Sequence, residues 1–153
     1  MKRFRFQLEP VLDFKQQGLD SLMNELAAIQ AQVLAQEQTL EEATTRLSDY
    51  DAEYTRKKEE GLTAIEAMEC QSCQLVLEQR VRRALEDLML LRQKEDKKRD
   101  QVVAARIETH TLERLREVRK GEHDAAAAKA EEKELDDLTA ARRAGADETA
   151  GSA

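Results

Sequence analysis

The feature that most restricts the fold of this chain is an apolar stride that begins at Leu12. Leu12, Lys15, Leu19, Leu22, Leu26, Ile29, Val33, Gln36, Leu40, Ala43, Leu47, Tyr50 and Tyr54 follow one another in alternating steps of three and four. All but Lys15 and Gln36 are apolar or tyrosine. A mean step of about 3.5 residues keeps one stripe of a helix turned toward one partner and implies a left-handed supercoil. Pro10 suits the first turn of this helix, where its missing N–H costs nothing. Gly18 is the one weak helix former inside it.

The stride ends at a stop signal followed closely by a start signal. Lys57 and Lys58 lie where a helix carries its negative dipole end. Gly61 can take the left-handed conformation of a C-terminal cap, with Leu62 as the apolar residue after it. Thr63-Ala64-Ile65-Glu66 then has the form of a capping box. So short a connection predicts antiparallel partners. The expected fold is all-α, a long two-helix antiparallel coiled-coil hairpin over residues 1–143. Helix 1 covers about 10–59, the turn 60–62 and helix 2 about 63–143. Residues 144–153 read as a disordered tail.

On the second helix Leu77, Val81, Ala84, Leu88 and Leu91 form a seam, with Leu75, Leu85 and Leu90 expected to broaden it. Residues 92–101, "RQKEDKKRDQ", contain no apolar side chain. Val102, Val103, Ile107, Leu112, Leu115 and Val118 resume the pattern. Folding about Gly61 sets Leu12 near residue 110, so the helix is expected to overhang its partner after about residue 115. The charged gap then faces Leu22, Leu26 and Ile29. Either long Lys and Arg stems cover that stripe, or the stripe is partly exposed and completes itself on another protein.

Composition narrows the function. The 153 residues are 37% charged and 3% aromatic, with a net charge of −7. Such a chain has little material for a compact core and much for long helices. The acidic balance argues against a dedicated nucleic-acid binder. No apolar run reaches the roughly 18 residues of a membrane span. Glu9 and Asp13 interrupt any signal-peptide reading of the start, so a cytoplasmic location is expected, with no direct membrane insertion. Cys70-Gln-Ser-Cys73 is a single CxxC on a predicted helix. It lacks the four ligands of a zinc site and the surrounding fold of a redox enzyme, so both cysteines read as small fillers of the seam. His110 and His123 share no helix face and read as surface positions. No catalytic, metal or cofactor constellation is found.

Four segments, in order, carry a resemblance. "FRFQLEPVLDFKQ" at 4–16, "DYDAEYTR" at 49–56, "GLTAIE" with "LVLEQRV" around the second-helix start, and "EEKELDDL" at 131–138 resemble the FliJ family of flagellar export proteins. The resemblance implies a non-enzymatic stalk. Its open end enters the hexameric flagellar export ATPase, it contacts the cytoplasmic domain of the export-gate membrane protein, and it assists the recycling of export chaperones. It also implies peripheral association with the inner face of the cell membrane. By position, the gate contact would involve Leu47, Tyr50, Tyr54, Cys73 and Leu77. The ATPase contact is expected at Leu12, Leu19, Leu22, Leu115 and Val118. Relatives place aromatics where this chain has Cys70 and Cys73. Other readings are the equivalent stalk of a virulence secretion system, a holdase for export substrates, and a filament-forming coiled coil. Tyr50 and Tyr54 are the only tyrosines, and their stride positions also allow them simply to close the seam.

Overall fold

A computed structural model describes residues 2–151 as two helices, α1 at Glu9–Glu60 and α2 at Ala64–Ala150. Among the described residues there is no strand. The chain divides into two units, one of Gly18–Ala105 and one of the residues up to Gln17 together with those from Arg106 onward.

The unit Gly18–Ala105 contains the turn. Gly61 adopts a positive φ of 102°, and its N–H donates to the Lys57 carbonyl at 3.0 Å. This is the capped stop that the sequence predicts, in a region where a side chain is strained. The Glu66 N–H donates to Thr63 Oγ1 at 3.2 Å, and the Thr63 N–H donates to Glu66 Oε2 at 3.3 Å. The capping box thus satisfies two backbone donors at the start of α2.

Every α1 stride position is buried or half-buried. On α2 the matching series within this unit is Ala67, Cys70, Gln74, Leu77, Val81, Ala84, Leu88, Leu91, Glu95, Lys98, Val102 and Ala105, again in alternating threes and fours. Glu95 and Lys98 carry the seam through the charged gap. Lys98 Nζ reaches Glu25 Oε2 at 2.7 Å while its stem stays in the seam, and Leu22, Leu26 and Ile29 are half-buried. Gln36 Nε2 donates to the Ala84 carbonyl at 3.1 Å, so the one amide in the α1 stride has a backbone partner.

The α2 seam corrects part of the sequence reading. Leu75, Leu85 and Leu90 are exposed, as are Val103, Ile107 and Val118. Most of them stand one position off the stride, which rotates a side chain by about 100° around the helix. Hydropathy nominated them and angle excluded them.

In the other unit, residues 2–8 run along α2 without helical structure. The Phe4 ring packs on His123 with centroids 5.5 Å apart, and His123 Nε2 lies 3.1 Å from the Lys2 carbonyl. Glu9 pairs with Arg116 at 3.1 Å and Lys15 with Glu108 at 2.8 Å. Since α1 begins at Glu9 and Glu9 pairs with Arg116, α2 overhangs its partner helix from about that point, as the sequence predicts, and the non-helical N-terminal segment packs on the overhang at His123. His123 is half-buried by this segment, whereas His110 is exposed. From Ala128 onward every described residue is exposed. The helix nevertheless continues to Ala150, past the expected end at Arg143, because alanines at 144, 146 and 150 favour it. Of the expected tail, residues 152 and 153 lie outside the described residues.

Candidate protein-contact site

Near the turn, α1 and α2 bring tyrosine and cysteine together. Tyr50 is half-buried, and its hydroxyl donates to the Cys70 carbonyl at 3.2 Å. One turn of α2 further on, Gln74 Nε2 donates to Asp51 Oδ1 at 2.8 Å. Loss of water around the Tyr50 phenol holds its pKa well above the usual tyrosine range. Hydrogen bonds with the thiols of Cys70 and Cys73, and repulsion from their ionised forms, push it the same way. Tyr50 is therefore a neutral donor fixed in the seam. Tyr54 is 5% exposed, and Lys58 Nζ sits 4.0 Å from its ring centroid, a cation over an aromatic face.

The five residues expected at a gate contact thus differ in access. Leu47, Tyr50 and Leu77 are half-buried, Tyr54 is buried and Cys73 is exposed. The expectation that both cysteines fill the seam is corrected for Cys73, because Gln74 holds the stride position beside it. Sequence reasoning missed a row of exposed apolar side chains on the same stretch of α2. Ile65, Met68, Leu75 and Val76 are all roughly half exposed or more, and their spacing puts them on one face. The signal was available, since each is apolar yet off the stride.

Of the residues expected to meet the ATPase, Leu12 and Leu19 are buried and Leu22 and Leu115 half-buried. Val118 is exposed, and so is Phe14, at 72%. Both stand off the seam in the unit that holds the chain's ends.

Elsewhere the surface offers open grooves between side-chain rows, such as one of about 340 Å³ lined by Gln36, Arg46, Leu77, Arg80 and Ala84. Among the described residues no group of three or more His, Cys, Asp or Glu is placed to hold a metal ion, and no helix is long and apolar enough to cross a membrane.

Two paired helices with exposed apolar rows beside their seam define an all-α hairpin protein whose distinctive features lie on its surface. The chain belongs to the FliJ family: the family described as "Flagellar FliJ protein" matches residues 4–148. Its role accordingly lies in flagellar protein export. No curated protein and no solved structure matches the chain.

Proposed function

We propose that this chain is the non-enzymatic stalk of the flagellar export apparatus, joining the hexameric export ATPase to the cytoplasmic domain of the export gate. It acts in the cytoplasm at the inner face of the membrane and assists the recycling of export chaperones. The observation that carries the reading is the family match over residues 4–148, which spans both the paired helices and the unpaired end of α2. The gate is met near the turn. There the exposed row of Ile65, Met68 and Val76, with Cys73 beside it, supplies apolar contact area. Leu47, Tyr50, Tyr54 and Leu77 hold that row in place from the seam. The ATPase is met in the unit formed by the residues up to Gln17 and those from Arg106 onward, through Val118, the neighbouring surface of Leu12 and Leu115, and the unpaired part of α2.

The test is capture of the purified ATPase by the full chain, with measurement of its hydrolysis rate. Removing residues 128–153 should weaken stimulation while the helix pair stays folded. Full stimulation by that truncation would exclude the unpaired end from the contact. The exposed apolar row also suits a holdase, but a holdase would bind many unrelated apolar peptides with similar weak affinity. One preferred partner whose turnover changes on binding decides for the stalk.

A further inference from the structure

Two thiols and one phenol converge across the seam near the turn. Cys70 is half-buried on the α2 stride and Cys73, three residues on, is exposed; both are free thiols. Both stand close enough to the hydroxyl of Tyr50 to raise its pKa, and that hydroxyl donates to the Cys70 carbonyl at 3.2 Å. A phenol has one proton to donate and two lone pairs to accept with. The Cys70 carbonyl takes the proton, so one oxygen on α1 is tied to the stretch of α2 that carries both sulfurs of the chain. These are its only cysteines.

Helix geometry puts residues three apart at a Cα separation of about 5 Å, inside the ordinary range for a disulfide. Their Cβ atoms, about 5–6 Å apart on a regular helix, are farther apart than the roughly 3.8 Å that a disulfide requires. A bridge can therefore close, but it must tighten that turn of α2. A bridge that strains its helix is readily reduced again.

We propose that Cys70 and Cys73 form a reversible thiol–disulfide site, oxidised by low-molecular-weight disulfides and read out through Tyr50. With oxidised glutathione, the Cys73 thiolate attacks one glutathione sulfur. The glutathione S–S bond breaks, a mixed disulfide forms on Cys73, and one glutathione thiolate leaves and takes up the proton that Cys73 lost. The Cys70 thiolate then attacks Cys73 Sγ. The mixed disulfide breaks, the Cys70–Cys73 bond forms, and the second glutathione leaves with the proton from Cys70. Two protein thiols are oxidised and one glutathione disulfide is reduced to two thiols. Cys73 reacts first because it is exposed, and Cys70 resolves because it is three residues away and half-buried. Closing the bridge tightens the turn of α2 that carries the Cys70 carbonyl, the acceptor of the Tyr50 hydroxyl. An effect of this change on gate binding rests on the proposed function above; the chemistry does not.

The test treats the full chain with oxidised glutathione, blocks free thiols and reads intact and peptide masses. The expected product is a monomer lighter by two hydrogens, bridged between Cys70 and Cys73 and restored by dithiothreitol. Cys70→Ser should stop at the mixed disulfide on Cys73, and Cys73→Ser should react about tenfold more slowly, since its remaining thiol is shielded. A wild-type chain that accumulates glutathione adducts without a bridge, or joins chain to chain, would overturn the proposal. So would a Cys73→Ser variant that reacts at the wild-type rate. The chain has no tryptophan, so in a Tyr54→Phe background Tyr50 alone reports by fluorescence. Its emission should change on bridging, and unchanged emission would overturn the link to Tyr50. Bridging by mass with unaltered gate affinity would remove the coupling to the gate and leave the redox site standing.

Discussion

Residues 64–105 and 128–150 of α2 are both unbroken helix, and they are helical for different reasons. The first stretch contributes a buried or half-buried residue at every stride position and is held by its seam with α1. The second has no buried residue at all. There Leu135 and Leu138 stand 64% and 61% exposed, and only local forces remain. Those are the propensity of alanine, glutamate, lysine and leucine and the backbone bonds themselves. Most of the stability of a helix in a protein comes from packing an apolar face, and this stretch has none packed. The comparison teaches that continuity of helix is a poor guide to where stability resides; the seam is the better one.

The largest expected effect contrasts two leucines. Leu88 is 2% exposed, and Leu88→Ala should cost about 2–5 kcal/mol. Leu138→Ala should stay within about 0.5 kcal/mol. Urea titrations followed by circular dichroism measure both, and equal costs would break the comparison.

The turn comes next. Gly61 holds a φ of 102°, so Gly61→Ala places a side chain in left-handed backbone and should destabilise by about 1–2 kcal/mol. A neutral result in the same titration would mean that the cap is dispensable to the pair.

Two helical glycines sharpen the contrast in the opposite direction. A Cβ at Gly121 or Gly145 meets nothing within 4 Å. Gly121→Ala, where α2 still has a partner, should stabilise by about 1 kcal/mol. Gly145→Ala should raise helix content and leave the unfolding midpoint where it was. A midpoint shift from Gly145→Ala would show that the last stretch is coupled to the seam.

The smallest effect is a titration. Tyr50 is held neutral by its surroundings, so its folded pKa exceeds the unfolded value of about 10. Its contribution to stability is complete below that value and is lost as pH rises through the higher folded one. Alkaline absorbance should show one phenol ionising later than free tyrosine, and Tyr50→Phe should remove that late step. A late step that survives in the variant would assign it elsewhere.

What could be read in advance follows from these same forces. The α1 seam was legible from Leu12 to Tyr54 because stride and apolarity coincide there almost without exception. The turn was legible because Gly61, Thr63 and Glu66 each have a local backbone reason to be present. On α2 the two signals part company. Leu75, Leu85, Leu90, Val103, Ile107 and Val118 are apolar and off the stride, whereas Glu95 and Lys98 are charged and on it. The contact of Phe4 with His123 joins residues far apart in sequence, and no local pattern announces it. The meeting of Tyr50 with Cys70 and Cys73 was hidden for the same reason, since each side looks ordinary until the other helix is placed.

The bond from Gln36 to the Ala84 carbonyl has a mechanical consequence within Gly18–Ala105. Sliding one helix past the other by a heptad, about 10 Å, would take the Gln36 amide off that carbonyl and set it against Leu77 or Leu91. An amide pressed unpartnered against leucine costs about 1–3 kcal/mol, and the Lys98–Glu25 pair would be parted as well. The two helices are keyed like a shaft in its collar, stiff to shear along their length and free only to bend or twist together. A push delivered at one end of this stretch is therefore passed to the other, not absorbed by slippage between the helices.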